Sequence, residues 1–372
     1  MRLRENKEYY KKSNKFDYNS FNDNDNDNDN ENNINYKEKN YYSNNYHKIP
    51  PGIKNDKNNS YLNSALHIIA NCDTFVDLLD KYHRVHSEFI TLLIETLHIL
   101  RGDLNVKVYN PLRIMSYCSM FNEEYKKTEP HCSQNFIRIL IKNVSQHLIG
   151  YEQKFIFPIN ESLYNKIEKE MFYQFCNNNK IFPESMSLSL FSIILENHSY
   201  GKCCYCYENI ENYFFTYNID QIIYLDKCRK REQFSDVLDF NFENCKKTMD
   251  CPKCQKQIEI KEENKIMKLP EILIFTLERI LGVNDTISVD LAQSINMQKY
   301  VDKYSYRENM EYELFAINVR LGKEINSGHQ LCAIKKGDIW YEINDQMVKK
   351  INPNDCNYLR ENSYGLFYRK RR

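Results

Sequence analysis

The chain has 372 residues, with 51 basic and 51 acidic side chains and therefore no formal net charge. This balance argues against a nucleic-acid-binding protein, because such proteins normally carry an excess of basic residues. No run reaches the roughly 20 consecutive apolar residues of a membrane span, and no apolar segment follows the basic N-terminus as in a secretory signal. The 13 cysteines favour reduced thiols or a metal site over a disulfide framework. We therefore expect an intracellular protein, cytoplasmic or nuclear, that binds neither nucleic acid nor membranes.

Residues 1–48 differ in composition from the rest of the chain. Asn and Asp alternate from Asn22 to Asn30, and the only aliphatic side chains in this segment are Met1, Leu3 and Ile34. Such a segment buries too little apolar surface to offset the entropy lost on ordering. The sequence thus predicts a disordered tail over 1–48, followed by a globular domain over 49–372.

Within the globular part, the hydrophobic period changes from helical to strand-like along the chain. Apolar residues recur at helical spacing over 64–81, 88–100 and 136–148. Strand-like runs follow at 213–217, 271–277, 312–319, 340–343 and 364–368. Helices that precede strands, without regular alternation between the two, predict an α+β fold.

Two cysteine pairs predict a metal site. Cys203 and Cys206 form one C-x-x-C pair, and Cys251 and Cys254 form the other. Four thiolates complete a tetrahedral zinc shell, and the two-residue spacer lets both sulfurs of a pair face one ion. We expect one structural Zn²⁺ per chain, with Cys204 as an alternative ligand in the first pair.

Four segments resemble motifs of the ubiquitin-specific proteases. The segment from Gly52 to His67 is similar to the family's Cys box, G-L-x-N-x-G-N-T-C-Y-x-N-S-x-L-Q, with Ser60 at the Cys position. Gly328-His329-Gln330 and the run from Trp340 to Val348 resemble the family's G-H-Y and W-x-x-F-[DN]-D-x-x-V boxes. The segment 268–279, which lies between the Cys box and Gly328, looks like the family's L-P-x-x-L-x-x-x-L-x-R strand. The resemblance covers about residues 50–369, with the boxes in family order.

The resemblance implies a papain-like cysteine-protease fold of the ubiquitin-specific protease type. A helical thumb would occupy 49–200, zinc-binding β fingers 201–270 and a β-rich palm 271–372. The zinc site would lie at the tip of the fingers, far from the nucleophile. The implied partners are ubiquitin or ubiquitinated proteins, and possibly a partner in a protein complex.

The resemblance also assigns roles to five residues by matching position. Ser60 would stand at the nucleophile position, His329 at the base position and Asn344 at the position that orients the imidazole. Asn55 would contribute to oxyanion binding, and Asp345 would have a secondary role. In the family, a thiolate formed beside the His attacks the isopeptide carbonyl.

The chain departs from the family at further positions. Lys57 replaces a Gly beside the nucleophile, and Gln330 replaces the Tyr that follows the base. Cys132 and Asn135 replace two acids that, in the family, face the basic ubiquitin tail. Several boxes have therefore changed together.

A serine hydroxyl is hardly ionised and needs a well-placed base, whereas a thiol is intrinsically nucleophilic and partly ionised near neutrality. We therefore predict a pseudoprotease that acts by binding ubiquitin or a partner. Two alternatives remain open: a live hydrolase that uses Ser60 or Cys132, and a scaffold without ubiquitin contact. On local sequence alone, Ser60 is typical of the N-cap of a helix over 61–81, and Asn344-Asp345 is typical of a turn between strands.

Overall fold

The computed structural model describes part of the globular region. The described residues are 49–85, 87–126, 129, 131–148, 151, 170–171, 174, 186–225, 233–243, 245–279, 287–301, 309–322 and 328–372. The predicted disordered tail, 1–48, lies outside the described residues.

Helices dominate the first half of the described chain. Along the described residues as a whole, the helices are α1 (Ser60–Ala70), α2 (Asp73–Lys81), α3 (Glu88–Arg101), α4 (Leu112–Phe121), α5 (Ser133–Leu148), α6 (Met186–Ser189), α7 (Phe234–Phe242) and α8 (Asn357–Asn362). The predictions over 88–100 and 136–148 are confirmed by α3 and α5. The Ser87 hydroxyl caps the start of α3 by accepting from the Ile90 N–H, and Gly102 ends the helix with a left-handed φ of 79°. Among the described residues, no helix is long and apolar enough to cross a membrane.

The single helix predicted over 64–81 is wrong, because the chain forms two helices separated by Asn71 and Cys72. Both residues donate their backbone N–H groups back into the last turn of α1. The Asn71 side chain donates to the backbone oxygen of Lys335 in a neighbouring strand, at 3.0 Å. Asn competes well for backbone partners outside helices, so this contact favours ending α1 here. Hydrophobic spacing alone does not reveal such a break.

The strands form one large sheet and two smaller ones. They are β1 (Gly52–Ile53), β2 (Val108–Tyr109), β3 (Ile193–Lys202), β4 (Asn209–Asn218), β5 (Gln221–Tyr224), β6 (Cys245–Asp250), β7 (Gln257–Lys268), β8 (Ile272–Glu278), β9 (Ser294–Asn296), β10 (Glu311–Leu321), β11 (His329–Lys336), β12 (Ile339–Asn344), β13 (Met347–Ile351) and β14 (Ser363–Lys370). The large sheet has the order β13-β12-β11-β10-β14-β8-β5, with β9 pairing to β10. A second sheet has the order β4-β3-β7-β6, and β1 pairs with β2 in parallel.

Two hydrophobic cores lie on opposite faces of the large sheet. Successive residues of a strand point to opposite faces, and β14 shows this directly. Phe367 belongs to the core that contains α1 to α5, whereas Leu366 and Tyr368 belong to the core that contains α7. The helices of the first half therefore pack on one face of the sheet, and α1 runs against β11 on that face.

The four-stranded sheet carries the cysteine pairs at one end. β3 pairs with β4 over ten residue pairs, and its other edge pairs with β7. The predicted boundary at residue 201 falls within β3, so the strands of this sheet begin before it. The core of the cysteine-bearing end is small, and it consists of Cys203, Ile210, Cys251, Ile258 and Ile260.

Candidate functional site

Ser60 is the first residue of α1 and is only 7% exposed. The helix N-cap is Asn59, without a side-chain capping hydrogen bond, so the interpretation of Ser60 as the N-cap is wrong. The Ser60 hydroxyl instead accepts a hydrogen bond from the backbone N–H of Gln330, at 3.3 Å. This bond links the start of α1 to β11 across 270 residues of sequence.

His329 and Asn344 are brought together by neighbouring strands. His329 begins β11 and Asn344 ends β12, and the two strands pair antiparallel. The imidazole Nε2 lies 2.6 Å from the Asn344 Oδ1. Because this oxygen is an acceptor, Nε2 carries the proton in the neutral imidazole and Nδ1 keeps its lone pair. Within the described residues, no hydrogen bond joins His329 to the Ser60 hydroxyl.

Asp345 lies in the turn that joins β12 to β13, at the position where the sequence predicts a turn. Its side chain and backbone contact several residues of the site. Its φ is 52°, in the left-handed region that Asp tolerates better than most residues. Oδ2 accepts from Asn55 Nδ2 at 2.7 Å, and Oδ1 accepts from Asn63 Nδ2 at 2.8 Å. The backbone oxygen accepts from the Ile53 N–H, and Oδ2 lies 3.7 Å from His329 Nε2. The turn is thereby fixed to both the N-terminal loop and α1.

The Asn55 amide is occupied at both ends. Its nitrogen donates to Asp345, and its oxygen accepts from the Asn59 N–H at 2.9 Å. Asn59 Nδ2 in turn donates to Asn63 Oδ1 at 2.9 Å and to the Lys54 backbone oxygen at 3.0 Å. The motifs indicate no role for Asn59 or Asn63, although both lie in the Cys-box segment.

Gly52 allows the Asp345 turn to approach the N-terminal loop. A Cβ at this position would lie 2.4 Å from the backbone oxygen of Gln346, far inside van der Waals contact. Backbone atoms cannot rotate away as a flexible side chain can, so only Gly fits here without moving the turn.

We expect Gly52→Ala to destabilise the fold by about 2 kcal/mol or more, a typical cost of overpacking. The midpoint of urea unfolding measures the effect. Gly201→Ala is the matched control, because a Cβ there would lie 3.0 Å from the Ile260 side chain and 3.4 Å from the nearest backbone atom, so a smaller loss of stability is expected. Equal midpoints for Gly52→Ala and the wild type would contradict this account of the close approach.

Gln330 connects the site to the start of α5. Its Nε2 donates to the backbone oxygen of His131, and its Oε1 accepts from the Ser133 N–H at 3.0 Å. The Ser133 hydroxyl lies within hydrogen-bond distance of both Gln330 Oε1 and the backbone oxygen of Tyr61, which is 2.9 Å away. Gln330 and Ser133 are 3% and 0% exposed.

The other positions that depart from the family lie around this site. Cys132 is half-buried just before α5, and Asn135 is exposed in its first turn. No acidic residue is present in that turn. Lys57 is exposed in the loop before α1. The N-terminus of α5 therefore presents no carboxylate from its own first turn.

The four predicted metal ligands converge at the end of the four-stranded sheet. The sulfur atoms of Cys203, Cys206, Cys251 and Cys254 all lie within 4.8 Å of one another. Two sulfur pairs, Cys203 with Cys254 and Cys206 with Cys251, are each 3.6 Å apart. Four sulfurs at about 2.3 Å from a tetrahedral zinc ion would be separated by about 3.8 Å. The cluster thus fits such an ion, whereas Cys204 is exposed and lies outside it.

The two cysteine pairs lie in separate turns that have the same backbone conformation. In the first, the Tyr207 N–H donates to the Cys203 oxygen, and in the second, the Gln255 N–H donates to the Cys251 oxygen. Tyr207 and Gln255, which follow the second Cys of each pair, have φ values of 62° and 58°. The backbone N–H of Cys206 lowers the pKa of the Cys203 thiol against the opposing effect of burial, whereas burial and neighbouring thiols raise the pKa of Cys206 and of Cys254. Metal binding would require the thiolate form of these groups.

Comparisons with known proteins agree with the motifs. The sequence model of the family described as ubiquitin carboxyl-terminal hydrolase matches residues 51–368. Ubiquitin carboxyl-terminal hydrolase 25 of Arabidopsis thaliana is 23% identical over 344 residues, which cover 86% of this chain and 47% of that relative. Ubiquitin carboxyl-terminal hydrolase 12 of Salmo salar is 22% identical over 354 residues, covering 86% and 89%. The match to hydrolase 23 of Arabidopsis thaliana covers 45% of this chain and only 19% of that relative.

Solved structures match the fold. The SAGA Ubp8/Sgf11/Sus1/Sgf73 DUB module bound to monoubiquitin contains a chain with a TM-score of 0.64 and 19% identity, covering 87% of this chain and 69% of that one. The same module bound to ubiquitin aldehyde gives 0.62 and 20%, covering 87% and 70%. The predicted α+β fold of the ubiquitin-specific protease type is confirmed. From its motifs, its fold and a family match that spans most of its length, this chain belongs to the ubiquitin carboxyl-terminal hydrolase family.

Proposed function

We propose that this chain binds ubiquitin or ubiquitinated proteins and hydrolyses them negligibly or not at all. The observation that carries the proposal is the environment of the Ser60 hydroxyl, which accepts from the Gln330 N–H and makes no hydrogen bond to His329 among the described residues. A serine nucleophile must pass its proton to a base during attack. Here the residue in the base position is not engaged with the hydroxyl that it would have to activate.

Two further features support loss of catalysis. One N–H of the Asn55 amide donates to Asp345 at 2.7 Å, so the side chain proposed for oxyanion binding has at most one N–H left to offer. A hydrogen-bond donor stabilises an oxyanion only when it is aimed at the developing charge. In addition, a Ser hydroxyl reaches less far than the larger sulfur of a Cys, and misplacement by about 1 Å can cost ~10²-fold in rate.

Ubiquitin binding is supported by family membership and by the solved relatives that are bound to ubiquitin or ubiquitin aldehyde. Cys132 and Asn135 stand where the family carries acids, so we expect contacts to the basic tail of ubiquitin to be weaker in this chain. The remaining binding energy would come from other surfaces of the domain.

One observation favours a second candidate, a ubiquitin hydrolase that uses Ser60. His329 is held by Asn344 at 2.6 Å in the tautomer that leaves Nδ1 free to accept a proton. The base and its orienting residue are thus intact, and a shift of Ser60 toward Nδ1 would restore a serine-type pair.

The two candidates are separated by a fluorogenic ubiquitin C-terminal substrate combined with a ubiquitin titration. We expect saturable binding without turnover by the wild type, and little turnover by Ser60→Cys, because Lys57, Cys132, Asn135 and Gln330 also depart from the family. Turnover that Ser60→Ala abolishes would establish the hydrolase instead. Absence of both binding and turnover would leave a scaffold without ubiquitin contact.

We also propose that Cys203, Cys206, Cys251 and Cys254 hold one structural Zn²⁺. The proposal is supported by the spacing of the four sulfurs and by the matching turns of the two pairs. When bound, the ion would cross-link the β3–β4 and β6–β7 hairpins with no open coordination position, which is typical of a structural site.

A further inference from the structure

Ser60 belongs to a ring of hydrogen bonds that joins three elements. α1 contributes Ser60 and the Tyr61 oxygen, α5 contributes Ser133, and β11 contributes Gln330. We call the bonds of Gln330 to Ser60, His131 and Ser133 the Gln330 latch. Ser60, Ser133 and Gln330, the residues of the latch that lie in these three elements, are all at most 7% exposed.

Gln330 uses all of its polar groups except its own backbone oxygen in this latch. The backbone N–H donates to the Ser60 hydroxyl, the side-chain nitrogen donates to the His131 oxygen, and the side-chain oxygen accepts from the Ser133 N–H. The two side-chain groups would each lose their partner if the start of α5 moved away from β11. Unpaired buried polar groups are costly, so the latch resists opening.

We propose that Gln330 is the positioning residue that closes the Ser60 site, by fastening the start of α5 to β11 over the first turn of α1. A polypeptide reaches the Ser60 side chain only after the latch opens. This inference rests on the proposed function in that it concerns the same site, but it requires no ubiquitin.

The latch is tested by the rate at which N-ethylmaleimide labels a thiol introduced by Ser60→Cys, followed by peptide mass spectrometry. Exposed Cys204 and buried Cys118 are internal standards in the same chain. With Gln330 intact, we expect the introduced thiol to react at least about tenfold more slowly than Cys204, because reaction requires a local opening.

Adding Gln330→Ala should raise the labelling rate of the introduced thiol about tenfold or more, while Cys204 and Cys118 keep their rates. Gln346→Ala is the matched control, since Gln346 is exposed in the adjacent turn, and it should leave the rate unchanged. Because His329 is present in every variant, its effect on thiol reactivity cancels in the comparison.

Two results would overturn the proposal: labelling of the introduced thiol as fast as Cys204 with Gln330 intact, or an unchanged rate after Gln330→Ala. If Gln330→Ala also exposes Cys118, the variant has unfolded and Ser133→Ala decides. Ser133→Ala removes the hydroxyl that joins the latch to Tyr61 and should still speed labelling severalfold, and no change would refute the latch. If the titration shows no ubiquitin binding, the proposed function is wrong, but these labelling rates are unaffected.

Discussion

Removal of the proposed zinc ion should unfold the cysteine-bearing end of the four-stranded sheet while the helices on the large sheet stay folded. Structural zinc contributes about 10–16 kcal/mol in zinc-finger peptides at neutral pH. Without the ion, this end retains only the small cluster of Cys203, Cys251 and three Ile side chains. We expect hydrogen exchange to accelerate over 202–210 and 249–258 and to remain slow in α1 and α3.

Metal analysis of protein purified without chelator provides the first measurement, and it should give one zinc per chain. The double variant Cys251→Ser/Cys254→Ser should lose the metal, whereas Cys204→Ser is the matched control and should keep it, because Cys204 is exposed outside the cluster. Less than about half an equivalent of zinc, or full zinc in the double variant, would defeat the assignment.

The second large effect is acid destabilisation by His67, which is 1% exposed in α1. Within the described residues, neither ring nitrogen has a hydrogen-bond partner, and burial together with Lys336 lowers the pKa of His67 to about 3. The unfolded chain binds this proton near pH 6.5, whereas the folded chain resists it until about pH 3. Stability is therefore lost as the pH falls below 6.5, by about 2 kcal/mol between pH 7 and pH 5.

His67→Leu should remove this part of the acid sensitivity, because an apolar side chain of similar size has no proton to bind. Urea unfolding at pH 7 and pH 5 measures the difference, and His83→Gln, a change at an exposed histidine, should behave as the wild type. If wild type and His67→Leu lost equal stability over this range, buried His67 would not be the cause.

His98 has the opposite pH dependence. Its ring nitrogens lie 2.9 Å from Asp80 and 2.7 Å from Asp103, and a neutral imidazole could donate to only one of them. Burial disfavours the charged ring, but these hydrogen bonds outweigh it and raise the pKa of His98 to about 9. The stabilisation is fully present below pH 6.5 and is lost as the pH rises through 9. The combined contribution of His67 and His98 to stability is therefore largest near pH 6.5.

The local pattern of apolar and polar residues was sufficient to predict some helices and strands but not others. The strong helical period over 88–100 predicts α3, and the four cysteines are predicted by spacing that zinc requires in any fold. β3 was not predicted because its burial does not alternate: a fully buried apolar start is followed by half-buried, mainly polar residues. In β7, the alternation is confined to the first residues and then interrupted by a polar, half-buried stretch. The break after α1 depends on the bond from Asn71 to Lys335, a partner that lies far away in sequence.

The residues of the site could be predicted from the sequence, but the hydrogen bonds between them could not. Family motifs identify Ser60, His329 and Asn344, but they do not indicate that the Ser60 hydroxyl accepts from Gln330 instead of bonding to His329. They also give Asp345 only a secondary role, whereas its carboxylate holds Asn55 and Asn63 in place. Such contacts depend on sub-ångström placement of elements that meet only in the folded chain.

The separation of these contacts along the chain has a consequence for how the protein is made. Asp345 bonds to Asn55 across 290 residues and to Asn63 across 282. A ribosome completes the N-terminal partners long before the final strands emerge, at roughly 5–20 residues per second. During that interval α1, whose residues are all buried in the finished fold, has no β11 to pack against. The face of α1 that packs on β11 thus stays uncovered for several seconds or longer, and chaperone capture of α1 would be concentrated in that interval.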